Sequence, residues 1–439
     1  MRQGVAIFAA AAIVAASLPV LREHDESLVA LLSKAKIAVT GTKPEKKEDK
    51  LDPPALAELD LANIDDRRDV ITAPAHGKRT AELTLDPVYQ RAATSILRRG
   101  EIHEGAVVMT DVQTGRVLAW SSFNRGRARD IAAEATYPTA SVMKVVTGAA
   151  LVEAGVPLNQ EFCYYGGKSG IEERDLTPDE GRDKYCATLG RAMGRSLNVI
   201  FARLADQKLD QQKLGSAAKR LGFGFEIPFD APIAPSMVEL PDERLEFART
   251  AAGFWHTTLS PFQATNVALT VANKGVMIRS RIVDRVLDEE GQVIWEAPKE
   301  REELKRVLDE KTAWSLARMM EQTVLGGTSF QTFHDRAGRP FIPDVPIAGK
   351  TGTLSNKKNG DLITWWVGFA PSDKPEVALS ALVVNRGPWR IKGTHVASDM
   401  LRIYFADRGR AGVSYPPGFR GEKRRGKEPE AAGDKTASR

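Results

Sequence analysis

Residues 81–412 read as an α+β domain, a central antiparallel sheet with helices around it. Two observations lead there. β-rich runs occur near the start, at Gly105–Phe123, and again near the end, at 345–384, and the stretch between them is patterned almost entirely as helix. Strands drawn from both ends of a segment, with helices between, point to one antiparallel sheet closed by its two termini.

Each element has a local reason. Leu83–Arg98 carries apolar residues at helical spacing, and Asp86-Pro87 marks its start. Gly105–Phe123 (GAVVMTDVQTGRVLAWSSF) holds two β-rich runs flanking Gln113-Thr114-Gly115, a hairpin signal. Ser141–Ala154 is apolar nearly all round, so a buried central helix is expected. Leu189, Met193, Leu197, Ile200, Phe201 and Leu204 recur at helical spacing. Ser260–Asn273 is a capped helix that stops at Lys274-Gly275, and Asp309–Leu325 is amphipathic. Three β-like runs follow, Val345–Thr353, Thr364–Phe369 and Val377–Val384. The tight link at Pro371-Ser372-Asp373 makes the last two antiparallel neighbours, and Leu401–Phe405 belongs to a closing helix.

The flanks differ in character. Val5–Leu21 is uncharged and Ala-rich, with one Arg before it, which reads as a membrane anchor or a cleaved export signal over residues 1–22. Both readings place the rest of the chain across a membrane. Residues 23–80 are charged, Pro-containing and poor in large apolar side chains, so a flexible linker is expected, with a short helix near Pro54–Leu61. Residues 413–439 read as a basic disordered tail.

Composition excludes several classes. Of 439 residues, 42 % are hydrophobic and 27 % charged, values of a soluble globular protein rather than a multi-span membrane protein. The net charge of +5 is spread over the chain without a dense basic stripe, so nucleic acid is not an expected partner. Two cysteines cannot build a four-thiolate metal site. The six histidines (His24, His76, His103, His256, His334, His395) are scattered without a metal-binding spacing. No metal and no cofactor is expected.

Three short motifs remain. Ser141 and Lys144 form S-x-x-K; positions i and i+3 share a helix face, and a Ser in a first turn lies beside outward-pointing backbone N–H groups that can stabilise an oxyanion. Lys144 can take the Ser141 proton only as a neutral amine, which burial or a second nearby cation would favour. Ser196-Leu197-Asn198 is S-x-N, and taken alone Ser196 also suits a helix cap. Lys350-Thr351-Gly352-Thr353 is K-T-G-T. A lysine with flanking hydroxyls suits a carboxylate, and Gly352 lets a substrate backbone approach. A phosphate-binding loop is excluded there, because Asp344 stands where that pattern needs glycine.

The three motifs occur together and in order, as in penicillin-interacting serine enzymes. The chain resembles the transpeptidase domain of penicillin-binding proteins over roughly 81–405. LTLDPVYQRAA is similar to that family's opening helix and GAVVMTDVQTGRVLAWSS to its first hairpin. HTTLSPFQATNVALTVANKGVM resembles the region between the second and third motifs, and TWWVGFAPSDKPEVALSALVVN the last strands. The resemblance implies an α/β/α sandwich with an all-helical lobe, the penicillin-recognising fold.

It also implies roles. Ser141 would attack the penultimate D-Ala carbonyl and Lys144 would be its base. Ser196 would relay a proton to the departing amine, and Asn198 would hold Lys144 and the substrate amide. Lys350, Thr351 and Thr353 would grip the terminal carboxylate, and the N–H groups of Ser141 and Thr353 would form the oxyanion hole. The implied partners are stem peptides ending in D-Ala-D-Ala, β-lactams, and a glycosyltransferase or other wall-synthesis protein, with the catalytic part in the periplasm or extracytoplasmic space. One departure is Ala140, where the family usually has glycine before the nucleophile. The 80 residues ahead of the domain offer no room for a glycosyltransferase domain. A D,D-carboxypeptidase or β-lactamase hydrolase, or a non-catalytic β-lactam sensor, stays open as an alternative. Cys163 and Cys186 both lie between the first two motifs. In an exported chain an even count suggests a disulfide, and two separate buried thiols are the other reading.

Overall fold

A computed structural model describes residues 56–126, 128–167, 170–356 and 360–419. The expected anchor at 1–22 lies outside the described residues, as do 23–55 and the tail from 420 on. Among the described residues no helix is long and apolar enough to cross a membrane.

In chain order, β1 (Thr72–Pro74) and β2 (Thr80–Leu83) precede a helix at Pro87–Arg99. Asp86 caps that helix by accepting from the Val88 N–H, and a proline at its first position costs no hydrogen bond. The expected hairpin follows as β3 (Glu104–Asp111) and β4 (Val117–Asn124). A helical section comes next, interrupted by the small hairpin of β5 (Glu161–Tyr164) and β6 (Tyr185–Thr188). After the helix Pro261–Ala272 come β7 (Val276–Ile278), β8 (Val283–Leu287), β9 (Val293–Glu296) and β10 (Glu303–Arg306). The helix Glu310–Leu325, then β11 (Ala348–Asn356), β12 (Asp361–Ala370) and β13 (Val377–Arg386), and a helix at Gly393–Asp407 complete the fold.

The central sheet has the order β11-β12-β13-β3-β4, antiparallel throughout. Sheet closure by the two ends of the domain therefore matches the expectation. In β12 successive side chains go to opposite faces. Trp365 joins a core with the helical section and Trp366 a second core with the helices Pro87–Arg99 and Gly393–Asp407. Both tryptophans are fully buried, which is why this strand reads as an unbroken apolar run rather than an alternating one. The helix Pro261–Ala272 is buried at every position and fills the first core.

Three expectations are corrected. Residues 56–80 are not a flexible linker. Leu56, Leu59, Leu61, Ile71 and Ala73 are buried, and β1 and β2 join β8 and β9 in a second sheet ordered β1-β2-β8-β9. A few well-placed apolar residues suffice there because β8 supplies the rest of the apolar surface. Of the short helix expected near Pro54–Leu61, the described residues show 3₁₀ structure at Leu56 and a 3₁₀ turn at Leu61–Asn63. The start of the expected tail is also folded: Val413, Tyr415 and Phe419 pack on the second core. The closing helix begins eight residues before Leu401, with the Gly393 N–H donating to Thr364 Oγ1 at 3.0 Å.

Candidate active site

The nucleophile motif begins as a 3₁₀ turn, Ala140–Val142, that runs into the helix Met143–Glu153. Ala140 has φ 48°, in the left-handed region that favours glycine. A glycine would adopt this backbone without steric cost, so Ala140 holds strain where the nucleophile turn begins. The turn is held from two sides. The Trp365 indole N–H donates to the Pro138 carbonyl at 3.0 Å, tying it to the sheet. Gly253 (φ 89°) lies against it so closely that a Cβ would come within 2.2 Å of the Ala140 oxygen.

Lys144 is fully buried, and its Nζ reaches three oxygens. Ser141 Oγ is at 2.9 Å, Asn198 Oδ1 at 2.7 Å, and the Ala252 carbonyl is also in contact. The Ala252 oxygen is one of the unpaired carbonyls ending the helix Arg244–Ala252; its neighbour Ala251 O accepts from Thr147 Oγ1 at 2.7 Å. A helix C-terminus favours a cation. Burial and the nearby positive charge of Lys350 work the other way, and they hold the Lys144 pKa well below the usual lysine value. A neutral amine has two hydrogens and one lone pair. Asn198 Oδ1 and Ala252 O take the two hydrogens, which leaves the lone pair facing the Ser141 hydroxyl.

Ser196 departs from the cap expected of it alone. The periodic stretch from Leu189 is two helices, Leu189–Arg195 and Asn198–Lys208, and Ser196 ends the first one in the left-handed conformation, φ 56° and ψ 44°. This break turns Ser196 and Asn198 toward Lys350 and Lys144. It is braced from behind, where Gly194 lies against the backbone of Gln322 so closely that a side chain would not fit.

The K-T-G-T residues lie on β11, the edge strand of the central sheet, beside the nucleophile turn. Lys350 is fully buried, donates to Ser196 Oγ at 3.0 Å and to its neighbour's carbonyl, Thr351 O, at 2.7 Å, and burial pushes its pKa down to about 7. The absence of a side chain on Gly352 lets the Thr139 carbonyl approach, 3.1 Å from where a Cβ would stand. Thr353 is exposed on the strand, open to a ligand. Thr351 Oγ1 meets Thr328 Oγ1 at 2.6 Å. Ser141, Lys144 and Asn198 thus form one hydrogen-bonded group, and Lys350 with Ser196 a second one facing it.

Cys163 and Cys186 are joined by a disulfide across the directly paired positions of β5 and β6. That hairpin is tied to the helix Asn198–Lys208 by Arg203, which donates to the Cys163 carbonyl at 3.0 Å and pairs with Asp183 at 2.7 Å. Among the described residues no cluster of side chains suits a metal ion. Three contributors escaped sequence reasoning: the Ala252 carbonyl, Gly253 and Thr328. The first is a main-chain group with no sequence signal. Gly253 and Thr328 stand next to ordinary loop residues, and only their spatial neighbours distinguish them.

Comparison with known proteins agrees with this geometry. The family model for the penicillin binding protein transpeptidase domain matches residues 105–402. A peptidoglycan D,D-transpeptidase, PbpA, of Mycolicibacterium smegmatis is 25% identical over 345 residues, 70% of this chain and 67% of the relative. Penicillin-binding protein 1B of Haemophilus influenzae is 24% identical over 311 residues, and the match spans only 35% of that longer protein. The crystal structure of the D,D-transpeptidase domain of an Eggerthella lenta peptidoglycan glycosyltransferase superposes with a TM-score of 0.62 at 25% identity, covering 75% of this chain and 83% of that one. With its three motifs gathered around one buried lysine, the chain belongs to the penicillin-binding protein transpeptidase family.

Proposed function

We propose that the chain is a peptidoglycan D,D-transpeptidase that works through an acyl-enzyme on Ser141. Neutral Lys144 takes the hydroxyl proton as Ser141 Oγ attacks the penultimate D-Ala carbonyl of a donor stem peptide. The backbone N–H groups of Ser141 and Thr353 receive the oxyanion. Ser196, held by Lys350, passes its hydroxyl proton to the departing D-Ala nitrogen and is reprotonated by Lys144, which becomes neutral again as the C–N bond breaks. An amine of a neighbouring stem peptide then attacks the Ser141 ester, forms the cross-link and frees the serine. A β-lactam enters at the same first step, its amide opening onto Ser141. Lys350 and the hydroxyls of Thr351 and Thr353 receive the terminal carboxylate, whose charge raises the Lys350 pKa again and keeps it cationic.

The single observation that carries this reading is the Lys144 amine, fully buried and within 2.9 Å of Ser141 Oγ. The apolar run Val5–Leu21 supports a membrane-held enzyme with its catalytic part on the outer side, acting beside a glycosyltransferase that supplies uncross-linked strands. Labelling with a fluorescent penicillin tests the assignment. The wild-type chain becomes covalently labelled and Ser141→Ala does not; covalent labelling of Ser141→Ala would refute the nucleophile. Rapid penicillin turnover by the pure protein would instead make it a hydrolase.

A further inference from the structure

A large cavity, about 1060 Å³, opens on the side of β11 away from the nucleophile helix. It adjoins the substrate strand β11 at one point and its neighbour β12 at another. Thr328, on its rim, contacts Thr351. Gly393, which precedes its wall residue Thr394, bonds to Thr364, the residue paired with Thr353. None of its groups has a part in the acyl-transfer chemistry.

Two cations and one carboxylate line the cavity, and both cations are engaged by neighbouring groups. Arg402 is committed to the carbonyls of Ser414 and Tyr415 and lies over the Phe341 ring at 4.6 Å. Lys392 lies over the Trp389 ring at 4.0 Å. Asp399 lines the same space, and among the described residues no N–H or O–H group donates to its half-buried carboxylate. An anion would therefore meet Asp399, and a cation would meet Lys392 and Arg402. Among the other polar groups of the cavity His395 supplies a donor: its Nδ1 accepts from the Lys392 N–H at 3.1 Å, so the ring hydrogen sits on Nε2. Trp389 stands at the mouth, 47 % exposed, an amphipathic ring with a free surface.

An unsatisfied acceptor, a ring N–H donor and an exposed indole, in a cavity whose cations are engaged by rings and carbonyls, suit a neutral ligand rich in hydroxyl groups. We propose that this cavity binds a saccharide unit, a hexosamine of the glycan strand that bears a stem peptide, with Trp389 stacking on the sugar face and Asp399 accepting from its hydroxyls. The identity of the strand rests on the transpeptidase reading above; the saccharide chemistry rests on the cavity. A sugar held here, next to the Thr328–Thr351 contact, would fix one strand near the edge on which its peptide is held.

The experiment titrates the full chain, first acylated with penicillin G so that Ser141 is blocked, with N,N′-diacetylchitobiose by ligand-observed NMR. Saturable binding by the acylated protein is expected, at least tenfold weaker in Trp389→Ala and several-fold weaker in Asp399→Asn, which retains the side-chain shape. No saturable binding by the acylated wild type, or equal binding by both variants, overturns the proposal. Failure of the wild type to acylate counts against the Ser141 reading instead, and the same titration of the unacylated protein then tests the cavity by itself.

Discussion

Two lysines of the same cleft are both displaced from their ordinary pKa, yet chemistry asks opposite things of them. Lys144 must be neutral to take a proton, while Lys350 must be charged to hold a carboxylate. Acylation by penicillin should therefore rise with pH as Lys144 loses its proton and fall as the free enzyme passes about 7, where Lys350 loses its own. Lys350→Arg keeps the cation at all pH values, so the falling limb should move well above neutrality, even though the changed shape lowers the rate at pH 6. Stopped-flow acylation rates between pH 5 and 10 check this, and a falling limb that stays in place in Lys350→Arg would assign it to another group. The hydrogen-bond count at Lys144 carries the same logic. In the free-base form Asn198 and Ala252 take its two hydrogens and the lone pair is left for the Ser141 hydroxyl.

Among the elements, the turn before the nucleophile helix is the most constrained. Ala140 and Ser196 both adopt left-handed backbone without being glycine, and both stand within the cleft. Such conformations persist where surrounding contacts over-determine them. Gly253 is one of those contacts. In Gly253→Ala a methyl would meet the Ala140 carbonyl on a backbone of positive φ, with a combined cost of at least about 2 kcal/mol. We expect a lower melting temperature and, because the turn carrying Ser141 must shift, acylation slower by about 100-fold. Gly291→Ala is the control, since Gly291 also has positive φ but faces open space in a surface turn. It should cost stability alone. Equal acylation in the two variants, measured by penicillin labelling kinetics, would show that Gly253 does not position the nucleophile.

For the whole molecule, the catalytic unit extends further toward the N-terminus than the matched 105–402 segment. β1, β2 and the buried side chains of residues 56–83 complete a sheet on β8, and each large buried side chain there contributes roughly 1.5–3 kcal/mol. Their sum rivals the 5–15 kcal/mol by which a domain is ordinarily stable, as an order of magnitude. A chain beginning at residue 54 should melt cooperatively and acylate with penicillin. A chain beginning at residue 84 should aggregate or melt far lower, because β8 would present an unpaired edge with Val283 and Val286 uncovered. Equal melting temperatures for the two chains, by differential scanning calorimetry, would show the small sheet to be an accessory.

Local pattern alone determined the hairpin at Gly105–Phe123, the capped helix at Ser260–Asn273, the helix at Asp309–Leu325 and the identity of the three motifs. These are set by turn residues, caps and periodicity, which act over a few positions. Tertiary structure decided the rest. The break at Ser196 interrupts a helical period because Lys350 and the backbone of Gln322 claim the space around it. Residues 56–80 look like linker by composition, yet they fold because β8, some 200 residues away, offers them a partner. The lowered pKa of Lys144 depends on burial and on Lys350, 206 positions later in the chain. Periodicity and caps record what a residue does to its neighbours in sequence, whereas pairing, burial and a carbonyl such as that of Ala252 exist only once distant segments have met.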